Sequence, residues 1–214
     1  MDLDPATLDS ARAYRLLTSA VVPRPIAWVS TLDADGRPNL APFSYFAPVC
    51  SAPMTLLFCP VPGPPDRPKK DTLRNIEAVP EFVVNVAEHR NIEAVNRSSA
   101  AVPPGESEFD LTGVTPVPSR RVRPPRVREA GVAFECRLLQ VVRVDGPEPS
   151  HQGGDGAAPG GWVVLGRVVS VTVADDLLAD DSFSVRLDRL QPVARLGGTD
   201  YLRATDVVSL PRPR

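Results

Sequence analysis

Alternating and continuous apolar runs divide the chain into predicted strands, which are separated by segments rich in proline and glycine. Residues 26–31 are mostly β-branched or aromatic, residues 54–59 form a short apolar run between prolines, and residues 81–87 form another strand. Two longer stretches, residues 132–144 and 162–174, are rich in valine and should pair with each other. The chain is therefore predicted to be mostly β.

Helical spacing of apolar residues occurs in only a few short stretches. It predicts a helix over residues 7–17, a second that begins near Asp71 and Thr72 as candidate caps, and a third over residues 90–99. Because strands and helices do not alternate, a doubly wound sheet is not expected. At least six strands with hairpin connections predict an antiparallel barrel with a few short helices.

Length and composition favour one globular domain over residues 1–214. The chain has 214 residues, of which 43% are hydrophobic and 23% charged. A formal net charge of -2 argues against a nucleic-acid partner. Residues 101–130, rich in proline and arginine with little periodicity, are predicted to form a surface excursion that covers a site or reaches a partner subunit.

Membrane insertion, disulfides and metal binding are not expected. No apolar run approaches the roughly 18 residues that span a bilayer, and the acidic N-terminus is unlike a signal peptide, so a cytoplasmic protein is predicted. Cys50, Cys59 and Cys136 are an odd number at unrelated spacings. His89 and His151 have no accompanying ligand pattern, which argues against a metal site.

A predicted hairpin from residue 23 to residue 46 contains the main candidate chemistry. Its return strand includes Pro42, which cannot donate to a ladder, so pairing should be interrupted, at an edge or a bulge, near residues 41–44 and leave backbone groups free for a ligand. Guanidinium, hydroxyl and amide groups surround this gap, at Arg24, Ser30, Thr31, Asn39 and Ser44. These groups suit binding better than acid–base catalysis.

A second cluster, Lys70-Asp71-Thr72, places a cation and a hydroxyl at a predicted helix N-terminus, where phosphates bind. By itself this pattern is weak, since such a lysine is more often merely solvated. The sequence has no GxGxxG after a strand, no GxxxxGK[ST] and no GxSxG, so dinucleotide, triphosphate and acyl-transfer sites are not indicated.

Six motifs in order, PRPIAWVST, GRPNLAPFSYF, KKDTLRNI, EFVVNV, FEC and VLGRVV, resemble the flavin reductase-like family of FMN-binding split-barrel proteins, the flavoredoxin branch in particular. The resemblance extends from about Tyr14 to Tyr201. It implies a mostly β, antiparallel split β-barrel of Greek-key type, which forms a homodimer with one FMN in each of two clefts at the subunit interface.

The resemblance also implies roles for individual residues. Next to the flavin ring it places Arg24, Pro25 and Ile26; near the ribityl chain or phosphate, Ser30 and Thr31; along the ring and its tail, Asn39, Ala41, Pro42, Phe43 and Ser44; and at the phosphate, Lys70, Asp71 and Thr72. No catalytic side chain is implied, because the flavin performs the redox chemistry and the protein positions it.

The function implied is an oxidoreductase that transfers electrons from NAD(P)H to flavin, with a monooxygenase or another redox protein as partner. Many NAD(P)H-using members of the wider family have a GDH motif before the late strand, but residues 153–168 lack this histidine, and His151 precedes them. The alternatives are an FMN-containing electron carrier, a specialised biosynthetic flavoenzyme, or a split barrel without flavin.

For Arg24, Trp28 and Trp162, a structural role competes with a role beside the flavin. Arg24 could lie over the barrel rim rather than beside a flavin. Trp28, in the first strand of the hairpin, is expected in the core. Trp162 could cover the flavin or close a dimer, and the sequence does not distinguish these roles.

Overall fold

The computed structural model describes residues 1–63, 67–103, 106–145, 159–179 and 183–213. The helices in these ranges are α1 (Ser10–Ala20), α2 (Asp71–Ala78), α3 (Ile92–Arg97), α4 (Glu108–Thr112) and α5 (Leu187–Leu190). The strands are β1 (Arg24–Pro25), β2 (Ala27–Leu32), β3 (Pro38–Phe43), β4 (Phe46–Ser51), β5 (Met54–Phe58), β6 (Glu81–Val86), β7 (Pro116–Val117), β8 (Arg126–Val127), β9 (Val132–Asp145), β10 (Pro159–Val173), β11 (Leu178–Ala179), β12 (Ser184–Val185), β13 (Val193–Arg195) and β14 (Tyr201–Arg203).

Seven strands form one antiparallel sheet in the order β3-β2-β6-β9-β10-β5-β4. The two valine-rich strands pair as predicted, from Trp162 opposite Arg143 to Val173 opposite Val132. Register shifts interrupt this pairing between Leu165 and Gly166 and again between Val168 and Ser170. Such bulges increase twist and bend long strands, which lets the sheet curve around its core.

The main core contains a line of aromatic rings. The ring centroids of Phe43 and Phe58 are 4.9 Å apart, and those of Phe58 and Phe82 are 5.5 Å apart. A Cβ atom at Gly166 would lie 2.2 Å from Cζ of Phe82, so only glycine leaves room for this ring. Trp162 is buried in the same cluster. Packing in this core explains the burial of Trp162 without a role in covering the flavin or closing a dimer.

A second core lies on the other side of β2. Trp28 is fully buried there, as predicted, and its Nε1–H donates to Oγ of Ser98 at 2.8 Å. Phe109 of α4 packs into the same cluster. Part of the excursion is therefore attached to the sheet by apolar contact.

Polar side chains of the strands attach the rest of the excursion. The buried Glu135 accepts hydrogen bonds from the backbone N–H groups of Arg120 and Arg121, at 2.9 and 2.6 Å. Oδ1 of Asn85 accepts from the backbone N–H of Val127 at 2.9 Å. A segment without hydrophobic periodicity is thus fixed at defined points.

Of the two forms predicted for the interruption at Pro42, an edge or a bulge, the structure has the edge. The register runs without a gap from Leu32 opposite Pro38 to Ala27 opposite Phe43, and Pro42 lies opposite Trp28. Strand β3 is at the edge of the sheet. Because successive residues of a strand alternate in direction, the backbone nitrogen of Pro42 points away from β2. The ladder therefore loses no hydrogen bond.

Two helix starts also differ from prediction. Helix α1 begins at Ser10 rather than Thr7, because Oδ1 of Asp9 caps it by accepting from the N–H of Arg12 at 2.7 Å. Helix α2 has Lys70 as its N-cap residue, without a side-chain cap, so neither predicted cap serves that role. Asp71 instead forms an ion pair with Arg74.

None of the helices in the described ranges combines the length and apolar character that crossing a bilayer requires. His151 and most of the glycine-rich turn predicted around it lie outside the described residues.

Candidate functional site

Two adjoining pockets form one cleft between β3, the start of α2 and the end of α3. The first, here called the α2 end, has a volume of about 170 Å³, and the second, the tyrosine end, about 250 Å³. Pro42, Phe43, Lys70 and Ser99 line both pockets. The cleft is therefore continuous past these four side chains.

The α2 end has the character of an anion site. The first backbone N–H groups of α2, at Asp71 and Thr72, have no acceptor in the described part of the chain. Lys69 pairs with Glu77, whereas Lys70 has no carboxylate partner among the described residues. A free helix N-terminus and an uncompensated cation both attract an anion.

The ammonium group of Lys70 lies 6.0 Å from the ring centroid of Phe43. Although the side chain as a whole is exposed, surrounding protein atoms desolvate its charged end and lower the pKa of Lys70. A bound anion would offset this desolvation, so Lys70 should interact more favourably with ligand than a fully solvated lysine does.

A hydrogen-bond network lies behind the α2 end. Oδ1 of Asn39 accepts from Oγ1 of Thr72 at 2.9 Å and from Oγ1 of Thr31 at 3.2 Å. Nδ2 of Asn75 donates to Oγ1 of Thr31 at 3.0 Å. The hairpin and α2, which the sequence suggested as separate polar clusters, thus share one network centred on Asn39.

Glu108 of the excursion completes the network. Its two carboxylate oxygens accept from Nδ2 of Asn39 at 2.9 and 2.8 Å, and one also accepts from the N–H of Leu40 at 2.9 Å. The side chain is 5% exposed, and burial raises the pKa of Glu108. Glu108 thereby fixes the orientation of the Asn39 amide and forms one wall of the α2 end.

Glu108 was not among the residues that the sequence suggested. The serine before an acidic first turn, Ser107 followed by Glu108 and Asp110, is a helix-start pattern that would have located α4. It would not have located the contact, because Asn39 and Glu108 are 69 positions apart.

The tyrosine end combines aromatic and apolar side chains with a few small polar ones, and it has a second cation besides the shared Lys70. Tyr14, Tyr45 and Tyr201 line it together with Ile26 and Val95. Burial raises the pKa of Tyr45, which keeps its hydroxyl protonated. The second cation is Arg195, whose guanidinium carbon lies 4.5 Å from the ring centroid of Tyr201. A flat, weakly polar group suits this pocket.

Nine of the thirteen suggested site residues line the cleft. At the α2 end these are Asn39, Ala41, Pro42, Phe43, Lys70, Asp71 and Thr72, and at the tyrosine end Ile26 and Ser44. Thr31 lies behind the α2 end, within the network around Asn39. Ser30 is fully buried, and its hydroxyl donates to the backbone carbonyl of Pro125 in the excursion.

Arg24 and Pro25 border a neighbouring apolar groove that meets the tyrosine end at Ser44 and Tyr45. The guanidinium of Arg24 donates to the carbonyl oxygens of Thr18 and Val21, at 2.5 and 2.6 Å, and to that of Leu196 at 2.9 Å. Arg24 therefore joins α1 to the chain after β13. A contact with flavin stays a prediction for Arg24 and Pro25.

The fold and cleft together define a flavin reductase-type oxidoreductase built on a split β-barrel. The chain belongs to the family described as flavin reductase like domain, whose model matches residues 19–185. Protein BH2278 of Halalkalibacterium halodurans is 41% identical over 213 residues, which are 100% of this chain and 97% of that protein.

Solved structures agree with this assignment. Nitrilotriacetate monooxygenase component B from Bacillus cereus has a TM-score of 0.88 and 30% identity, with 98% of each chain covered. The 2-nitrobenzoate 2-nitroreductase NbaA of Pseudomonas fluorescens has a TM-score of 0.83 and 30% identity, covering 100% of this chain and 96% of its own. Flavoredoxin of Desulfovibrio vulgaris has the same fold, with a TM-score of 0.71, 21% identity and coverage of 89% and 91%. The resemblance and fold class inferred from the sequence are confirmed.

Proposed function

We propose that the chain binds FMN in the cleft and transfers electrons from NAD(P)H to flavin. One observation supports this above all others: a single cleft joins an uncompensated cation at a free helix N-terminus to an aromatic and apolar pocket. FMN has the same division, with a phosphate at one end and a flat ring at the other. The bound flavin would supply the electron-transfer chemistry.

The residues of the α2 end fit a phosphate group. Lys70 would contribute a charge-assisted hydrogen bond, and the N–H groups of Asp71 and Thr72 would donate to phosphate oxygens. The hydroxyl of Thr72 already donates to Asn39, so its oxygen can accept from a ligand hydroxyl while that bond is kept. Glu108 and Asn39 would hold Thr72 in place.

The surroundings of the α2 end favour FMN over FAD. A further cavity of about 580 Å³ adjoins the α2 end and shares Asn39 and Asp71 with it. Three more acids line this cavity: Asp33, Glu106 and Asp110. Its arginines are already engaged, Arg37 with Asp33 and Arg74 with Asp71. A second phosphate placed there would meet net negative charge.

A redox partner and a homodimer are part of the proposal. The similarity to a monooxygenase component B supports an oxygenase as the acceptor of the electrons. Two exposed apolar side chains, Leu17 of α1 and Val21 directly after it, border the groove beside the tyrosine end, where a second copy could cover them. We also propose that residues 1–214 form one domain, located in the cytoplasm.

The second candidate is an FMN-containing electron carrier that another protein reduces. The absence of the GDH histidine from residues 153–168 favours it. The two candidates differ in whether NADH or NADPH reduces the bound flavin. A visible absorption spectrum recorded without oxygen, before and after each nucleotide is added, decides between them: bleaching supports the reductase, and a persistent flavin band with both nucleotides supports the carrier.

Affinity for FMN tests the site itself. The double variant Lys70→Ala/Thr72→Ala should weaken FMN binding by about 3 kcal/mol, since it removes a charge-assisted bond to the phosphate and the hydroxyl beside it. Arg203→Ala is the control, because this exposed arginine of β14 lines neither end of the cleft. Equal affinity in the double variant and the wild type would mean that the phosphate binds elsewhere, and no flavin binding at micromolar concentration would refute both candidates.

A further inference from the structure

Arg195 is held in a fixed position in the wall of the tyrosine end. Strand β13 lies between β1 and β14, which places Arg195 opposite Arg24 on one side and Tyr201 on the other. Its guanidinium lies over the Tyr201 ring, and Nη2 donates to the carbonyl oxygen of Gly198 at 2.6 Å. The Tyr201 hydroxyl in turn donates to Oδ1 of Asn96 at 3.1 Å. Ring and carbonyl orient the cation before any ligand arrives.

The charge of Arg195 is not neutralised by the protein that the structure describes. No carboxylate in the described ranges forms an ion pair with it, and none of the described residues lining the tyrosine end is acidic. Arg24, its neighbour across the ladder, differs because three backbone carbonyls surround its guanidinium. A half-buried, oriented guanidinium without a counter-charge is suited to an anionic group on a ligand.

Lys70 lies at the junction of the two ends and Arg195 lies within the tyrosine end alone. Arg67, Lys69 and Lys70 line the α2 end, whereas the tyrosine end has Arg195 in addition to the shared Lys70. Oxidised flavin carries no net charge on its ring, whereas a ring that has received two electrons and one proton carries one negative charge. A cation beside the ring stabilises the second form more than the first.

We propose that Arg195 stabilises the negative charge of the reduced flavin ring and so raises the reduction potential of the bound FMN. This inference rests on the proposed function, because it requires the ring to occupy the tyrosine end. The two electrons and the proton come from the nicotinamide donor or, in a carrier, from the reducing protein. Arg195 keeps its own protons throughout and acts only through its charge and hydrogen bonds.

The test compares Arg195→Gln and Arg195→Lys with the wild type and with Arg203→Gln. Arg203 is an exposed arginine of the neighbouring strand β14, so its variant removes the same charge away from the cleft. For each protein the affinity for oxidised FMN is measured by fluorescence quenching. The midpoint potential of bound FMN is then measured without oxygen, with dithionite and a reference dye.

In Arg195→Gln, reduced FMN should lose about tenfold more affinity than oxidised FMN, which corresponds to a midpoint potential about 30 mV more negative. Arg195→Lys should recover part of this shift because it keeps the charge, and Arg203→Gln should match the wild type. Circular dichroism of each variant establishes that it is folded before the potential is compared.

Two results would overturn the inference while leaving the proposed function intact. Equal loss of affinity in both redox states would mean that Arg195 only packs against the ring. An unchanged potential with a higher KM for the nucleotide or the acceptor would mean that Arg195 binds an anionic group of the second substrate. A wild-type protein that binds no FMN would remove the proposed function and this inference together.

Discussion

In the seven-stranded sheet, apolar side chains pack between strands that are bonded edge to edge, whereas the excursion (residues 101–130) is fixed by a few apolar side chains and by single polar side chains that reach it from those strands. Phe58 and Phe82 are 1% exposed within the sheet core. In the excursion the corresponding fixed points are backbone N–H groups bonded to Glu135 and Asn85. The sheet therefore distributes its stability over many contacts, and the excursion depends on fewer, some of which are single hydrogen bonds to buried side chains.

The difference matters because the cleft has one wall from each region. Phe43 and Lys70 belong to the sheet side, and Glu108 belongs to the excursion. Damage to the sheet should unfold the protein as a whole. Damage to an anchor of the excursion should open one wall of the site while the barrel persists.

The largest effect is expected for Phe82→Ala. Removing this ring leaves a cavity beside Phe58 and Gly166 and should lower the free energy of unfolding by about 3–5 kcal/mol. Urea unfolding measures this change. Phe183→Ala is the control, because Phe183 is 85% exposed and its removal should change stability little. A similar loss in both variants would contradict the view that the sheet is stabilised by buried apolar contacts.

Glu135→Ala is expected to lower the stability of the whole protein less than Phe82→Ala does, but to loosen the excursion more. The variant removes the acceptor of two backbone N–H groups and should lower the free energy of unfolding by about 2 kcal/mol. It should also let trypsin cleave within the arginine-rich residues 120–128 much faster than in the wild type. Glu93→Ala removes an exposed carboxylate as a control. If cleavage were no faster than in Glu93→Ala, Glu135 would not be an anchor.

The next effect concerns Glu108 and pH. Burial raises the pKa of Glu108, so the folded protein binds this proton more tightly than the unfolded chain does. Stability should therefore fall as pH rises from about 4.3, the ordinary range of glutamate, through the raised pKa. In Glu108→Gln this decrease, of about 1 kcal/mol or less, should vanish. Urea midpoints measured across this range check it.

Glu106→Gln is the matched control for this experiment, since Glu106 is an exposed acid two residues earlier in the chain. It should retain the wild-type pH dependence. A decrease that persists unchanged in Glu108→Gln would assign the titration to another group.

The smallest effect concerns Lys70 on the sheet side. Because desolvation lowers the pKa of Lys70 in the free protein and a bound phosphate would favour its charged form, FMN affinity should decline as pH rises through that lowered pKa. We expect a decline of less than about tenfold, beginning below the ordinary lysine pKa of about 10.4. Lys70→Arg, which stays charged, should show no such decline. Fluorescence titrations at each pH measure both proteins, and equal slopes would exclude Lys70 as the phosphate cation.

Much of the sheet could be predicted from the sequence because neighbouring residues are enough to identify each strand. The valine-rich stretches of β9 and β10 alternate with period two, and such a pattern specifies a strand without reference to the rest of the chain. Leu73 and Ile76, which are three residues apart and so share one face of α2, are both fully buried. The cap of α2 was predicted wrongly because several polar residues adjoin its start, and local sequence does not rank them.

The site was predictable only in part, for a physical reason. Lys70, Asp71 and Thr72 are consecutive, and their position at a helix start is visible in the sequence. The bonds from Asn39 to Thr72 and to Glu108 join residues 33 and 69 positions apart, and nothing local marks them. The contacts of Arg24 were also hidden from local sequence, because two of its carbonyl partners, those of Thr18 and Val21, depend on where α1 ends.

The outer edge of β3 has a consequence for the behaviour of the protein at high concentration. Residues 38, 40 and 42 turn their backbone toward this edge. Pro38 and Pro42 have no N–H group, and the N–H of Leu40 is taken by Glu108. The carbonyl oxygen of Pro38 is likewise taken by the Ser107 hydroxyl at 2.6 Å.

An incoming strand from another molecule would therefore find no free donor along this edge, although unpaired strand edges are the usual starting points of β-aggregation. The carbonyl oxygens that face outward beside the cleft can still meet a small ligand. Pro42 and Glu108, which line the cleft, thus act together with Pro38 to keep the protein from polymerising through this edge.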